Sequence, residues 1–248
     1  MKVLNCYSLK GGVGKTSTAI NLGAVAAVQG WRVLLIDIDA QGASSFLLRH
    51  DSQDGKGLGD QLKKPQANLV ELVKGTNVER LHILPYNDRT RFLDAEISEI
   101  RTFRSRARNS IDALSDRYDL IVIDSPPTAD NLLKFQLAVS DLTLLLTTPA
   151  PLSLRATLEY VYSLRGDFKS PPNFKTTLQI VEVRSKHHQE LLSELSEMKD
   201  LHLTNTIIPR SSLIEGMAID RSPVVISHPR SIVAKRFESL WIELDLMD

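Results

Sequence analysis

Two lysines, Lys10 and Lys15, flank a glycine turn in the run SLKGGVGKTST, residues 8–18, directly behind the apolar stretch KVLNCY. Gly11, Gly12 and Gly14 allow a backbone curl in which successive N–H groups, that of Val13 included, point inward at an anion. The stretch that follows, KTSTAINLGAVAAV, has helical spacing, and its positive end would face the same point. Strand, glycine turn and helix in that order are what a phosphate-binding loop requires. In that reading Lys15 reaches the β and γ phosphates, the Thr16 hydroxyl ligates magnesium, and Ser17 extends the nucleotide-binding stretch. The ordinary pattern G-x-x-x-x-G-K-[ST] needs glycine at position 9, where this chain has Leu9.

Two further apolar runs end in carboxylates. RVLLIDIDAQGAS carries Asp37 and Asp39, and DLIVIDSPPT carries Asp124. A single Asp after a strand is often only a helix N-cap. Strand ends of a parallel sheet, however, deliver their side chains to one edge, where ligands of open α/β sheets bind.

The elements needed to position these groups can be read along the chain. KVLNCY, RVLLIDI, RLHILPY, DLIVID, DLTLLLTT, TTLQIVEV and HLTNTII read as strands, most of them apolar on both faces. Helical periodicity falls at 15–29, 91–116, 129–139, 152–165 and 187–199. The alternation predicts an α/β doubly wound fold, a mostly parallel sheet covered on both faces. Nothing in the chain reads as a linker, so residues 1–248 are expected to form one domain. Val233, Phe237, Leu240, Trp241 and Leu244 share one helical face, which predicts a terminal helix docked on the core.

Composition narrows the function classes. A content of 42% apolar and 24% charged residues is that of a globular chain, and the longest apolar runs are too short to span a bilayer. The amino terminus lacks the pattern of a signal peptide, so a cytoplasmic location is expected. Cys6 is the only cysteine, which excludes a disulfide framework, and on an apolar strand it reads as a buried, inert thiol. Zero formal net charge excludes a globally basic nucleic-acid binder; affinity for a polyanion would need a local patch or an assembly. The pair His187–His188 has no metal-ligand partners at suitable spacing, and Asp51 to Leu62 starts like a calcium loop but has Leu62 where glutamate is required.

With its lysine ahead of the glycines, KGGVGKT resembles the loop of the ParA/MinD family of deviant Walker P-loop ATPases. RVLLIDIDAQGAS is similar to that family's DxDPQG element, with Ala40 in place of the proline, and DLIVIDSPPT to its Walker B strand. IIPRSSLIEGMAIDRSPV resembles the family's loop near the adenine, which places Pro209 and Arg210 at the nucleotide. The likeness covers nearly the whole chain and is nearest to ParA proteins lacking an amino-terminal helix-turn-helix domain; residues 180–190 depart from it. It implies an ATPase using ATP and magnesium, with Asp37 near the metal shell, Asp124 holding the metal through water and Asp39 orienting the attacking water. It also implies a homodimer that sandwiches ATP, in which Lys10 reaches the nucleotide of the facing subunit and Gly11 lies at the close contact.

Such a dimer would bind a surface. Non-specific DNA is one reading, through Arg184, Lys186, Arg210, Arg221, Arg230, Lys235 and Arg236, each of which taken alone reads as a solvated charge. Arg101, Arg104 and Arg108 share a further helical face, read first as a solvated or intersubunit surface. The alternative is a MinD-like membrane ATPase, whose basic amphipathic tail is not matched by the acidic end ELDLMD. The resemblance further implies a centromere-binding or small adaptor partner that stimulates hydrolysis, a nucleoid-associated location, and a plasmid, chromosome or protein organelle such as the carboxysome as cargo.

Overall fold

Strands apolar on both faces must be covered on both, and the chain meets that demand with one seven-stranded sheet. The structure, a computed structural model, describes residues 1–50, 57–64, 67–98, 103–127, 130–167 and 172–246. The strands are β1 (Lys2–Tyr7), β2 (Val33–Asp37), β3 (Lys74–Gly75), β4 (Leu81–Leu84), β5 (Leu120–Asp124), β6 (Leu142–Thr147) and β7 (Phe174–Leu178). Their order is β3-β4-β2-β5-β1-β6-β7, parallel throughout except for β3. The helices are α1 (Lys15–Val28), α2 (Ala43–Leu47), α3 (Leu58–Leu62), α4 (Leu93–Ser98), α5 (Phe103–Asp112), α6 (Asp130–Val139), α7 (Pro151–Asp167), α8 (Lys186–Ser196), α9 (Ser212–Asp220), α10 (Val224–Ser227) and α11 (Ile232–Leu244).

Every residue of β2, β5 and β6 is buried, and successive side chains go to opposite layers. Leu35 and Val122 join a core with α1, α10 and α11, whereas Leu34, Ile36, Ile121 and Ile123 join a second core with α3, α5 and α6. This two-sided burial is the doubly wound arrangement expected from the sequence. Cys6 is fully buried in the first core.

The terminal helix docks as its periodicity requires: Val233, Phe237, Leu240, Trp241 and Leu244 are all buried. The Trp241 indole N–H donates to Gln29 Oε1 at 2.7 Å, and its ring meets Trp31 edge-on, centroids 5.5 Å apart. In the same last turn of α11, the Glu243 carboxylate accepts from the backbone N–H groups of Asn205 and Thr206.

Three expectations need correction. TTLQIVEV does not run as a strand to its end, because β7 stops at Leu178 and Ile180 takes a φ of +57°, a left-handed conformation incompatible with a ladder. HLTNTII is not a strand either. It follows the edge of β7 through bonds such as Thr204 N to Thr176 O and Ile208 N to Leu178 O, but the Thr204 and Thr177 hydroxyls both donate to the Thr206 carbonyl and take up a ladder acceptor. The helix expected over 91–116 falls into α4 and α5, and residues 99–102 between them lie outside the described residues. The same holds for Arg101 and the first part of the rejected calcium loop, whereas Arg108 pairs with Asp112 at 3.2 Å.

Candidate nucleotide site

The loop between β1 and α1 is shaped by two left-handed glycines, Gly12 at φ +75° and Gly14 at φ +93°, the latter forming the N-cap of α1. A side chain at either position would strain the turn. Gly11 differs: its φ is not positive, and a Cβ there would meet nothing within 4 Å. Nothing within the described chain therefore demands glycine at position 11. Val13 sends its side chain into the core, leaving only its backbone for a ligand.

Lys15 is 6% exposed and folds back on its own loop, its ammonium donating to Ser8 Oγ at 3.2 Å and to the Lys10 carbonyl at 3.4 Å. Burial pulls its pKa below the ordinary lysine range, against the opposing charges of Asp124 and Asp39. Among the described residues, the Lys10 side chain makes no hydrogen bond or ion pair.

Asp37 and Asp124 are register partners on adjacent strands, both fully buried. Asp37 turns both oxygens to its own chain: Oδ2 accepts from the Ser45 N–H at 2.8 Å and the Ser45 hydroxyl at 2.6 Å, and Oδ1 from the Asp39 N–H at 3.3 Å. Asp124 Oδ2 accepts from the Ser44 hydroxyl at 2.7 Å, whereas its Oδ1 is buried without a partner. Burial pushes Asp37 up to about 7, with the Asp124 charge adding to it; burial likewise pushes Asp124 up to about 6, with the Ser44 and Thr16 hydroxyls pulling against it. Asp39 lies farther out, with Oδ1 accepting from the Gln41 N–H at 2.9 Å.

A buried carboxylate oxygen with no donor, close to a threonine hydroxyl, fits a cation better than it fits an empty interior. Thr16 and Asp124 are thus the residues that could hold magnesium. The paired carboxylates also give stability a definite pH slope. Between about pH 4 and 7 the folded chain holds more protons than the unfolded one, so stability without metal falls as pH rises through that window. Thermal melts in chelator are expected to show a steeper loss of Tm from pH 5 to 7.5 in the wild type than in Asp124→Asn; equal slopes would refute the assignment.

Above the loop opens a cleft of about 520 Å³ lined by Gly11, Gly12, Gly14, Lys15, Thr16, Ser17 and Asp39. Its far wall is Gln179, Ile180, Ile208, Pro209, Arg210, Ser211 and Ile214, so Pro209 and Arg210 do face the loop they were expected to join. Arg210 is tied to Glu182 at 3.3 Å. Sequence reading missed Gln179, Ile180, Ser44 and Ser45. Ile180 could have been suspected only from the break in the apolar pattern beyond it, and the serines carry no local signal.

Fold and loop together define a P-loop nucleotide-binding protein. The AAA domain family AAA_31 matches residues 1–169. The sporulation initiation inhibitor protein Soj of Bacillus subtilis is 27% identical over 98% of both chains, and a ParA family protein of Chlamydia pneumoniae 26% identical over 98% of this chain and 97% of its own. Cobyrinic acid a,c-diamide synthase from Mycobacterium smegmatis, solved with a bound ATP analogue and magnesium, shares the fold with a TM-score of 0.83 at 22% identity, over 98% of this chain and 94% of its own. The chain belongs to the AAA_31 family of AAA domains and is an ATPase of ParA/MinD type.

Proposed function

We propose that the 248 residues act as one ATP-hydrolysing unit that dimerises around ATP, binds DNA without sequence preference and releases it after partner-stimulated hydrolysis. The observation that carries this reading is the unlike state of the two lysines: Lys15 is buried and bonded within its own loop, while the side chain of Lys10 has no partner among the described residues. A lysine held beside a phosphate loop without a partner of its own suits a partner outside the chain.

Phosphoryl transfer asks a protein mainly for positioning and charge. The N–H groups from Gly11 to Ser17 cradle the phosphates, and Lys15 leaves Ser8 to meet them. Thr16 and Asp124 would hold magnesium, which would supply charge neutralisation at the phosphates. Asp39, at the cleft and less buried than the other two carboxylates, orients the attacking water. Asp37, its oxygens already occupied by Ser45 and Asp39, acts by fixing that turn. Lys10 of the facing subunit completes the charge, and Pro209 and Arg210 border the adenine.

For DNA, Arg184, Lys186, Arg230, Lys235 and Arg236 are exposed. Arg221 is engaged instead, stacked 4.5 Å over Phe46 and donating to its carbonyl, and Arg210 is paired with Glu182. The docked face of α11 argues against a MinD-like membrane tail, and among the described residues no helix is long and apolar enough to cross a membrane. The reading implies a cytoplasmic, nucleoid-associated protein whose stimulating partner is a centromere-binding or small adaptor protein, with a plasmid, chromosome or protein organelle as cargo. Co-sedimentation with DNA across a salt series, with ATP, ADP or no nucleotide, tests it. Retention is expected with ATP alone and should fall steeply with salt; retention by liposomes but not by DNA would overturn it.

A further inference from the structure

Ser8 lies just ahead of the glycine turn, 2% exposed, and does not line the cleft. Its hydroxyl donates to the Lys10 carbonyl at 2.6 Å and accepts from the Lys15 ammonium at 3.2 Å. One buried hydroxyl thus holds both the backbone of Lys10 and the side chain of Lys15. Because a hydroxyl has one proton and two lone pairs, the two bonds are independent: Lys15 can leave without breaking the bond to Lys10.

We propose that Ser8 is a positioning residue with two opposed effects: it holds Lys15 back in the nucleotide-free loop and fixes the direction in which Lys10 leaves the chain. The inference rests on the reading of Lys10 as the lysine that serves the facing subunit. Without nucleotide, Ser8 and the Lys10 carbonyl stand in as acceptors for the Lys15 ammonium, and a phosphate must compete with them. With nucleotide bound, the Ser8–Lys10 bond remains and pins the backbone from which the Lys10 side chain starts.

Removing the hydroxyl should therefore split binding from assembly, whereas a merely structural residue would weaken both. Ser8→Ala is expected to bind ATP as tightly as the wild type or up to about fivefold tighter, since about 1 kcal/mol of competing hydrogen bonding is lost from the free state. The same variant is expected to form the ATP-dependent dimer about tenfold more weakly, with saturated turnover reduced in step, because a pre-oriented group has become free to wander. Ser8→Thr, which keeps the hydroxyl, should restore both. Equilibrium binding of a fluorescent ATP analogue, sedimentation with ATP and steady-state turnover read the three quantities. If Ser8→Ala fails to fold, Ser8→Cys, with a weaker donor, should shift them in the same directions by less. Joint loss of affinity and assembly, or no change in either, overturns the inference. A wild type that does not dimerise with ATP would instead overturn the functional reading beneath it.

Discussion

Lys10→Ala is expected to lower saturated ATP turnover about a thousandfold while leaving ATP affinity of the single subunit within a few-fold of the wild type. The two lysines differ in ways that make the outcome specific. Lys15 is buried and lines the cleft, so Lys15→Ala should lose nucleotide altogether, taking turnover with it. Lys10 donates no side-chain bond within the described chain, and its removal leaves no buried group unsatisfied. Its loss should appear only where a second subunit is needed: in ATP-dependent dimerisation, followed by sedimentation, and in turnover. A Lys10→Ala protein that hydrolyses ATP normally would show that the lysine ahead of the glycines has no catalytic part. Gly11 offers a companion measurement. Since a Cβ there meets nothing within 4 Å, Gly11→Ala should fold normally and fail only on assembly.

Asp39→Ala should do the opposite, accumulating an ATP-bound dimer whose hydrolysis is slower by about two powers of ten. Among the described residues the Asp39 side chain accepts one hydrogen bond, from the Gln41 N–H, and contributes little to the buried polar framework. Asp37 and Asp124 anchor Ser45 and Ser44, and changing either disturbs α2 as well as the chemistry. Trapped dimer on a sizing column in ATP, with slow product release by a phosphate assay, is the expected pair of results. Normal hydrolysis by Asp39→Ala would remove it from the mechanism.

The phosphate loop was legible because its chemistry is local. Three glycines, Lys15 and Thr16 within six positions, 11–16, must meet the same anion whatever surrounds them. The central strands were legible for a related reason, since burial on both faces leaves an unbroken apolar run such as LTLLLT. The far wall of the cleft was not. Gln179 closes against the first turn of α1 across 161 residues, accepting from the Thr18 hydroxyl, and no local pattern announces such a contact. The start of α6 is another case: its backbone N–H groups at Asn131 and Leu132 are capped by Asp94, 37 and 38 residues earlier, where a sequence reader looks for a cap only next door. HLTNTII shows the converse error. Its composition suits a strand, but threonine hydroxyls bond to the very backbone carbonyl that a ladder would use. β3, two residues long and both exposed, is too short to carry any period.

The chain has two tryptophans, and they pack edge-on against each other where α11 meets the turn after α1. Intrinsic fluorescence of this protein is therefore a gauge of how the terminal helix sits, with no indole in the nucleotide cleft to confuse it. An emission change on adding ATP would report motion carried to α11, and an unchanged spectrum would mark that helix as a fixed reference against which a dye at the cleft could be calibrated.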